Sequence, residues 1–133
     1  MGSLFSRRNR PAAAIEEEGS ESGAAVITVH SDAEWSQNWL THSQSNKLMV
    51  IDFSASWCGP CRFIEPYFKE MATRFTGAVF FKIDVDQLRK VSNQWKVEAM
   101  PTFVLVKRGQ EVGRVVGADK DELERTIQMH LNM

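Results

Sequence analysis

Short apolar runs recur along residues 26–133 and predict the strands of a globular domain. Each run is rich in strand-forming residues and ends at polar or turn-forming ones. The predicted strands are Val26–Val29, Leu48–Ser54, Ala78–Asp84, Thr102–Lys107 and Glu111–Val116. The second run is apolar at nearly every position, which is typical of a strand covered on both faces.

The segments between these runs carry apolar residues three and four positions apart, which is the spacing of one helix face. Ser31 and Glu34 form a capping box that predicts the start of a first helix, and its buried face includes Trp35 and Trp39. A longer helix is expected after the second strand, and Pro66 should kink it. Its apolar stripe comprises Ile64, Phe68, Met71, Ala72 and Phe75.

Two further helices and a hairpin complete the pattern. Gln87–Trp95 predicts a short helix, and Asp119 with Glu122 predicts the capped start of a last one. Gly109 lies between the two final strands and supplies the backbone freedom of a hairpin turn. The order βαβαβα followed by ββα predicts an α/β domain with a mixed sheet and helices on both faces.

Residues 1–25 lack this periodicity, so we expect a flexible N-terminal extension ahead of a domain at 26–133. The extension begins with an N-myristoylation pattern in which Gly2 is the acceptor. One acyl chain binds a membrane only marginally, so Arg7, Arg8 and Arg10 would supply the second signal by attraction to anionic lipid. An unmodified tail and a mitochondrial presequence are the alternatives, and the acidic block that follows counts against the presequence.

Composition narrows the class of protein without defining its chemistry. The chain has 133 residues, of which 43% are hydrophobic and 25% charged, as expected for one globular domain. A net charge of −1 gives no basis for nucleic-acid binding. Because the chain also lacks an apolar stretch of about 20 residues and the apolar segment of a secretory signal, we expect a cytoplasmic protein, membrane-associated if the tail is acylated.

The only two cysteines, Cys58 and Cys61, lie one helical turn apart at the predicted start of the long helix. Unpaired N–H groups and the helix dipole stabilise a thiolate there. Pro60 fits the first turn because its missing N–H costs nothing, while Gly59 allows close approach of a partner chain. We therefore predict a reversible redox pair in which an exposed Cys58 attacks a substrate disulfide and Cys61 resolves the mixed disulfide.

Two other interpretations of the cysteine pair are less favoured. A zinc site needs about four ligands, whereas His30, His42 and His130 are scattered and no second cysteine pair exists. We therefore assign no metal. A purely structural disulfide would close too short a loop to add much stability.

Several segments, matched in order and spacing, carry a resemblance to a known family. Trp57-Cys58-Gly59-Pro60-Cys61, Val50–Phe53, Met100-Pro101-Thr102 and Val116-Gly117-Ala118 resemble the thioredoxins over essentially all of residues 26–133. Ala55-Ser56-Trp57 and Arg62 are similar to the plant cytosolic h-type thioredoxins, although bacterial thioredoxins usually carry a tryptophan in place of Ser54. The resemblance implies the thioredoxin fold, with a central mixed five-stranded sheet flanked by helices on both faces.

Asp52 interrupts the buried second strand, where an ionised carboxylate is costly, so burial should raise its pKa. We interpret it as the proton acceptor for Cys61, and an aspartate at a solvated strand edge is the alternative. The resemblance supports the acceptor role, and Lys82 matches the lysine that neighbours this aspartate in the family. On sequence alone, Lys82 is more simply a solvent-facing strand residue.

The resemblance also implies a substrate-docking surface around the pair. Pro101 would follow a cis peptide, although sequence alone favours trans, and the backbone of Met100 would pair with an extended substrate segment. The other members of the expected surface are Trp57, Gly59, Pro60, Gly117 and Ala118.

These observations together predict a monomeric protein-disulfide reductase that maintains cell redox homeostasis. It needs no bound cofactor, and the resemblance implies that NADPH-dependent thioredoxin reductase recharges it. A disulfide isomerase or oxidant is the alternative enzyme. A membrane-tethered redox-sensing adaptor is the non-catalytic alternative.

Overall fold

A computed structural model describes residues 25–132 of the chain. The predicted N-terminal extension, with Gly2 and the three arginines, therefore lies outside the described residues apart from residue 25. The described part contains five strands and four helices in the order βαβαβαββα. This is the predicted order of elements.

Most element ends agree with the sequence pattern. The strands are β1 (Val26–Val29), β2 (Leu48–Ser54), β3 (Ala78–Asp84), β4 (Thr102–Lys107) and β5 (Gln110–Val116). The helices are α1 (Asp32–His42), α2 (Gly59–Arg74), α3 (Arg89–Gln94) and α4 (Lys120–Leu131). The third helix is shorter than predicted because the N–H groups of Gln87 and Leu88 both donate to the Asp84 carbonyl in a turn after β3.

Local polar contacts explain where the helices and the hairpin begin and end. The Ser31 hydroxyl accepts from the Glu34 N–H at 3.1 Å, and the Asp119 carboxylate caps α4 in the same way. The turn between β4 and β5 places both Arg108 and Gly109 at positive φ, which matches the twist of a tight hairpin. The predicted caps and hairpin are therefore confirmed.

The five strands form one mixed sheet in the order β1-β3-β2-β4-β5. β1 and β2 run parallel to β3, whereas β4 is antiparallel to both β2 and β5. β2 lies at the centre of the sheet and is buried at all seven positions. Because β1, β2 and β3 are parallel, their carboxyl ends share one edge of the sheet, and α2 starts just beyond it.

Each face of the sheet has its own apolar core, and alternate residues of β2 contribute to each. Leu48 and Val50 pack with α2 and α4 on one face, which we call the α2 face. Met49 and Ile51 pack on the opposite face with α1 and α3. Side chains alternate along a strand, so Asp52 continues the series of Leu48 and Val50 and lies on the α2 face.

Phe68 is the aromatic centre of the core on the α2 face. It is 1% exposed, and its ring centroid lies 5.3 Å from Phe80 and 5.5 Å from Phe103. Phe68→Ala should lower the free energy of unfolding by about 3–5 kcal/mol in a denaturant titration, since it removes buried contacts and leaves a cavity. Phe63→Ala, in the same helix at a residue 56% exposed, is the matched control and should cost less than ~1 kcal/mol. Equal losses would contradict this account of the core.

Candidate active site

Cys58 and Cys61 form a disulfide at the start of α2, with their Cα atoms 5.3 Å apart. Cys58 is the N-cap of the helix, and its Sγ accepts a hydrogen bond from the Cys61 N–H at 3.2 Å. Pro60 occupies the first turn. The predicted placement at a helix start is confirmed, so an N–H group and the helix dipole both favour negative charge on Cys58 once the disulfide opens.

Both cysteines are largely shielded in this oxidised form, with Cys58 5% and Cys61 6% exposed. The expectation that Cys58 is exposed is therefore wrong for the disulfide state. Cys58 is covered because it packs into a small apolar cluster with Ala55 and Met100, and its Sγ lies 3.6 Å from the Met100 carbonyl oxygen. The Met100 backbone therefore lies directly beside this sulfur.

Trp57 is an exposed aromatic ring beside the disulfide, and a carboxylate holds it in place. Its indole N–H donates to Oδ2 of Asp86 at 2.9 Å. The Arg62 guanidinium donates to the Ser56 carbonyl at 2.8 Å and fixes the segment before the disulfide. Sequence reasoning missed Asp86, although the residue follows the carboxyl end of β3, next to the end of β2 that leads to Trp57.

Gly59 and Pro60 are exposed on the outer side of the first turn of α2. A Cβ added to Gly59 would meet no other atom within 4 Å, so the space in front of this residue is open. The surface before the disulfide can therefore be approached from outside.

The peptide bond between Met100 and Pro101 is cis, as the resemblance implied. The Pro101 carbonyl accepts from the Gly117 N–H at 2.8 Å, which brings the end of β5 beside this loop. Ala118, next in the chain, is partly buried there. The loops before β4 and after β5 therefore meet beside the disulfide.

Asp52 is 2% exposed, and within residues 25–132 its Oδ1 has no hydrogen-bond partner. Burial raises its pKa from 3.8 to about 7, Lys82 opposes the rise, and Glu65 adds to it. The predicted direction is confirmed, and the near-complete burial excludes a solvated strand edge. A carboxyl group with a pKa near neutrality can both accept and return a proton.

Lys82 lies opposite Asp52 in the register of β2 and β3. Its Nζ donates to Oε2 of Glu65 at 2.7 Å, so its ion pair is with the helix, while its charge acts on Asp52 from across the strands. Sequence reasoning missed Glu65. Glu65 lies four residues after Cys61 and therefore on the same side of α2, and this spacing could have indicated that it belongs to the site.

No group of three or more His, Cys, Asp or Glu side chains within residues 25–132 is arranged to hold a metal ion. In the same part of the chain, none of the helices combines the length and apolarity required to span a membrane.

Comparison with known proteins gives a consistent result. The thioredoxin family profile matches residues 26–129. Thioredoxin H2-2 of Oryza sativa subsp. japonica is 61% identical over 133 residues, which cover 99% of this chain and 97% of the rice protein. Thioredoxin H5 of Arabidopsis thaliana is 54% identical over 105 residues, covering 79% and 89% of the two chains.

A solved structure with a similar fold is thioredoxin NaTrxh from Nicotiana alata. It superposes with a TM-score of 0.80 at 48% sequence identity and covers 85% of this chain and 98% of that one. The similarity therefore extends over almost the whole of that structure.

The buried carboxyl of Asp52 should make stability depend on pH. Its pKa in the folded protein, about 7, exceeds the ordinary value of 3.8. Its stabilising contribution to the free energy of unfolding is therefore fully present below pH ~4 and is lost as the pH rises through about 7. At roughly 1.36 kcal/mol per pKa unit, raising the pH should lower the unfolding free energy of the oxidised wild-type protein by on the order of 4 kcal/mol. The Asp52→Asn variant has no carboxyl at this position and should not show this loss.

The measurement is urea denaturation of the oxidised protein from pH 4 to pH 8.5. The exposed carboxylate variant Asp32→Asn serves as the control and should follow the wild-type curve. Parallel curves for Asp52→Asn and wild type would show that Asp52 ionises in the folded protein without an appreciable cost.

Proposed function

This chain belongs to the thioredoxin family and is a protein-disulfide reductase, and from that premise we propose that Cys58 is its nucleophile and Cys61 its resolving thiol. The observation that carries this assignment is the position of the disulfide at the N-cap of α2. There the Cys61 N–H already points at the Cys58 sulfur. Cys58 therefore has the better-stabilised thiolate of the two.

In the first step, the Cys58 thiolate attacks one sulfur of a substrate disulfide. A bond forms between Cys58 and that sulfur, the substrate S–S bond breaks, and the other substrate sulfur leaves as a thiolate that takes a proton from solvent. The helix start stabilises Cys58 as the attacking thiolate at neutral pH. The product is a mixed disulfide between the two proteins.

In the second step, the Cys61 thiol gives its proton to the Asp52 carboxylate, and its sulfur attacks Cys58. The bond between Cys58 and the substrate breaks, and the second substrate sulfur leaves as a thiolate. Two electrons have then passed from the cysteine pair to the substrate. The step is fast because Cys61 is held one helical turn from its target.

Substrate docking is assigned to the surface around the disulfide. An extended substrate segment pairs with the Met100 backbone ahead of Pro101, since the Met100 carbonyl lies beside the Cys58 sulfur. The exposed Trp57 ring and the open surface at Gly59 and Pro60 flank this path on one side. The loop of Gly117 and Ala118 flanks it on the other.

The cysteine pair is itself the redox centre, so the protein needs no bound cofactor. The family implies disulfide-containing target proteins and thioredoxin reductase as partners. We propose that the reductase returns the pair to the dithiol with electrons from NADPH, by the same exchange steps in reverse. Asp52 then gives its proton to the departing Cys61 sulfur.

Single-cysteine variants test this assignment. Cys61→Ser should accumulate covalent mixed disulfides with target proteins, because the first step proceeds and the second cannot. Cys58→Ser should lose disulfide reduction to the uncatalysed background. Non-reducing gels and turnover of a protein disulfide with NADPH and thioredoxin reductase measure the two effects.

The double variant Cys58→Ser/Cys61→Ser is the control and should trap nothing. Activity retained by Cys58→Ser would refute the nucleophile assignment. Recovery of only non-covalent complexes with Cys61→Ser would favour a redox-sensing adaptor over a reductase. Net disulfide formation in reduced target proteins would favour an oxidant or isomerase.

We also propose that residues 26–133 form the catalytic domain and that 1–25 are an extension that determines location. In this proposal the domain works as a monomer in the cytoplasm. Myristoylated Gly2, together with Arg7, Arg8 and Arg10, brings it to anionic membrane surfaces. The support for this part is the sequence pattern alone.

Intact mass of the protein isolated from its own cells tests the extension. N-myristoylation at Gly2 predicts loss of Met1 and a gain of about 210 Da. Gly2→Ala should abolish the gain and release the protein from membranes of anionic lipid. A much smaller mass, corresponding to loss of the first part of the chain, would instead indicate a cleaved presequence.

A further inference from the structure

We propose that Glu65 is a positioning residue for the resolving step, because it holds the Lys82 ammonium in an ion pair on the α2 face and thereby sets the pH range in which Asp52 exchanges its proton. Glu65 would not touch the reacting sulfurs and would act through Lys82. The proposal rests on the proton-acceptor role proposed above for Asp52.

The geometry comes from two elements that meet on one face of the sheet. Lys82 follows Phe80 by two residues in β3, so it extends the side of that strand that packs on the α2 face, as Asp52 does in β2. Glu65 follows Cys61 by one turn of α2. The Lys82 ammonium reaches Oε2 of Glu65 at 2.7 Å, and both side chains are partly buried, so their charges are incompletely screened.

The charged groups that act on Asp52 come from only two of the elements around it in the described structure. They are Lys82 from β3 and Glu65 from α2. The neighbour of Asp52 in β4 is the apolar Phe103, and the part of α4 packed on this face is apolar as well. Burial is the main reason that Asp52 resists ionisation, and the ammonium of Lys82 is the cation whose position adjusts that resistance.

The contacts around Glu65 favour its ionised form. Burial alone would raise its pKa, but the hydrogen bond from Lys82 and the charges of Lys82 and Lys69 outweigh it, and the net pKa is lowered. Lys69 lies 3.9 Å away and is largely exposed. Glu65 therefore remains a carboxylate through the neutral range and keeps its hold on Lys82.

Both effects of Glu65 on Asp52 have the same sign. Its negative charge raises the pKa of Asp52, and its ion pair engages the lysine whose charge lowers that pKa. Without Glu65, the Lys82 charge would act on Asp52 alone, the pKa of Asp52 would fall, and more of this carboxyl would be ionised at neutral pH. Asp52 could then still accept a proton from Cys61, but it would less often hold one to return when the disulfide is reduced.

The test compares Glu65→Gln with Glu70→Gln in the full-length protein. Glu70 lies in the same helix, carries the same charge and pairs with Arg74, so its variant is a matched control. Glu65→Gln should lower the NMR titration midpoint of the Asp52 carboxyl in the oxidised protein by about one pH unit. The inflection in the pH profile of disulfide reduction should fall in the same direction. Glu70→Gln should change neither.

A second comparison separates action through Lys82 from a direct effect of the Glu65 charge. In a Lys82→Met background, Glu65→Gln should move the Asp52 midpoint by less than half of the shift seen with Lys82 present. A shift of equal size in both backgrounds would overturn the positioning role. Thermal unfolding of all variants accompanies these titrations, since a purely structural role would change the Tm without moving the midpoint.

The outcomes distinguish this proposal from the proposed function. If the Asp52 midpoint is unchanged in Glu65→Gln while Asp52→Asn slows resolution of the mixed disulfide, the role of Glu65 is refuted and the function stands. If the midpoint falls but the pH profile does not, and Asp52→Asn resolves at the wild-type rate, Asp52 is not the proton acceptor. The role of Glu65 in the reaction is then refuted with it.

Discussion

The burial of β2 on both faces is the constraint on which the rest of the structure depends. β2 is the central strand of the sheet, so β3 and β4 pair with its two sides and helices cover both of its faces. Its carboxyl end then leads directly into the loop before α2. Cys58 therefore lies at a helix start that the packed core holds rigidly, and this position stabilises the thiolate form of one sulfur.

The same burial encloses Asp52, the one ionisable residue of a strand whose other residues are apolar or uncharged. A carboxyl group in such a place is kept neutral by the cost of its desolvation, and the strength of that preference is adjusted by charges that remain partly in water. Lys82 and Glu65 are those charges. Stability at high pH is reduced as a result, and the protein gains an acid whose pKa lies near neutrality.

Elements that are marked by residues close together in the chain could be predicted from the sequence. Ser31 with Glu34 and Asp119 with Glu122 mark helix starts, and the unbroken apolar run from residue 48 predicted the central strand. The features that were missed join residues distant in the chain. Asp86 holds Trp57 from 29 residues away, Glu65 and Lys82 are 17 apart, and Met100 covers Cys58 across 42 residues. No periodicity records such contacts, because they arise only when the sheet order brings separate loops to one edge.

Helix α2 combines a local sequence pattern with contacts to residues that are distant in the chain. Cys58, Cys61 and Glu65 follow one another at intervals of three and four residues, so they lie along one side of α2, from its N-cap to its second turn. In the proposed reaction, the helix start stabilises the Cys58 thiolate, Cys61 carries the thiol that loses a proton, and Glu65, one turn further, engages the lysine opposite the proposed proton acceptor. Because the three groups share one rigid backbone, the packing of Ile64 and Phe68 against the sheet sets their positions together. The spacing of the apolar stripe therefore determines the geometry of the active site as well as that of the core.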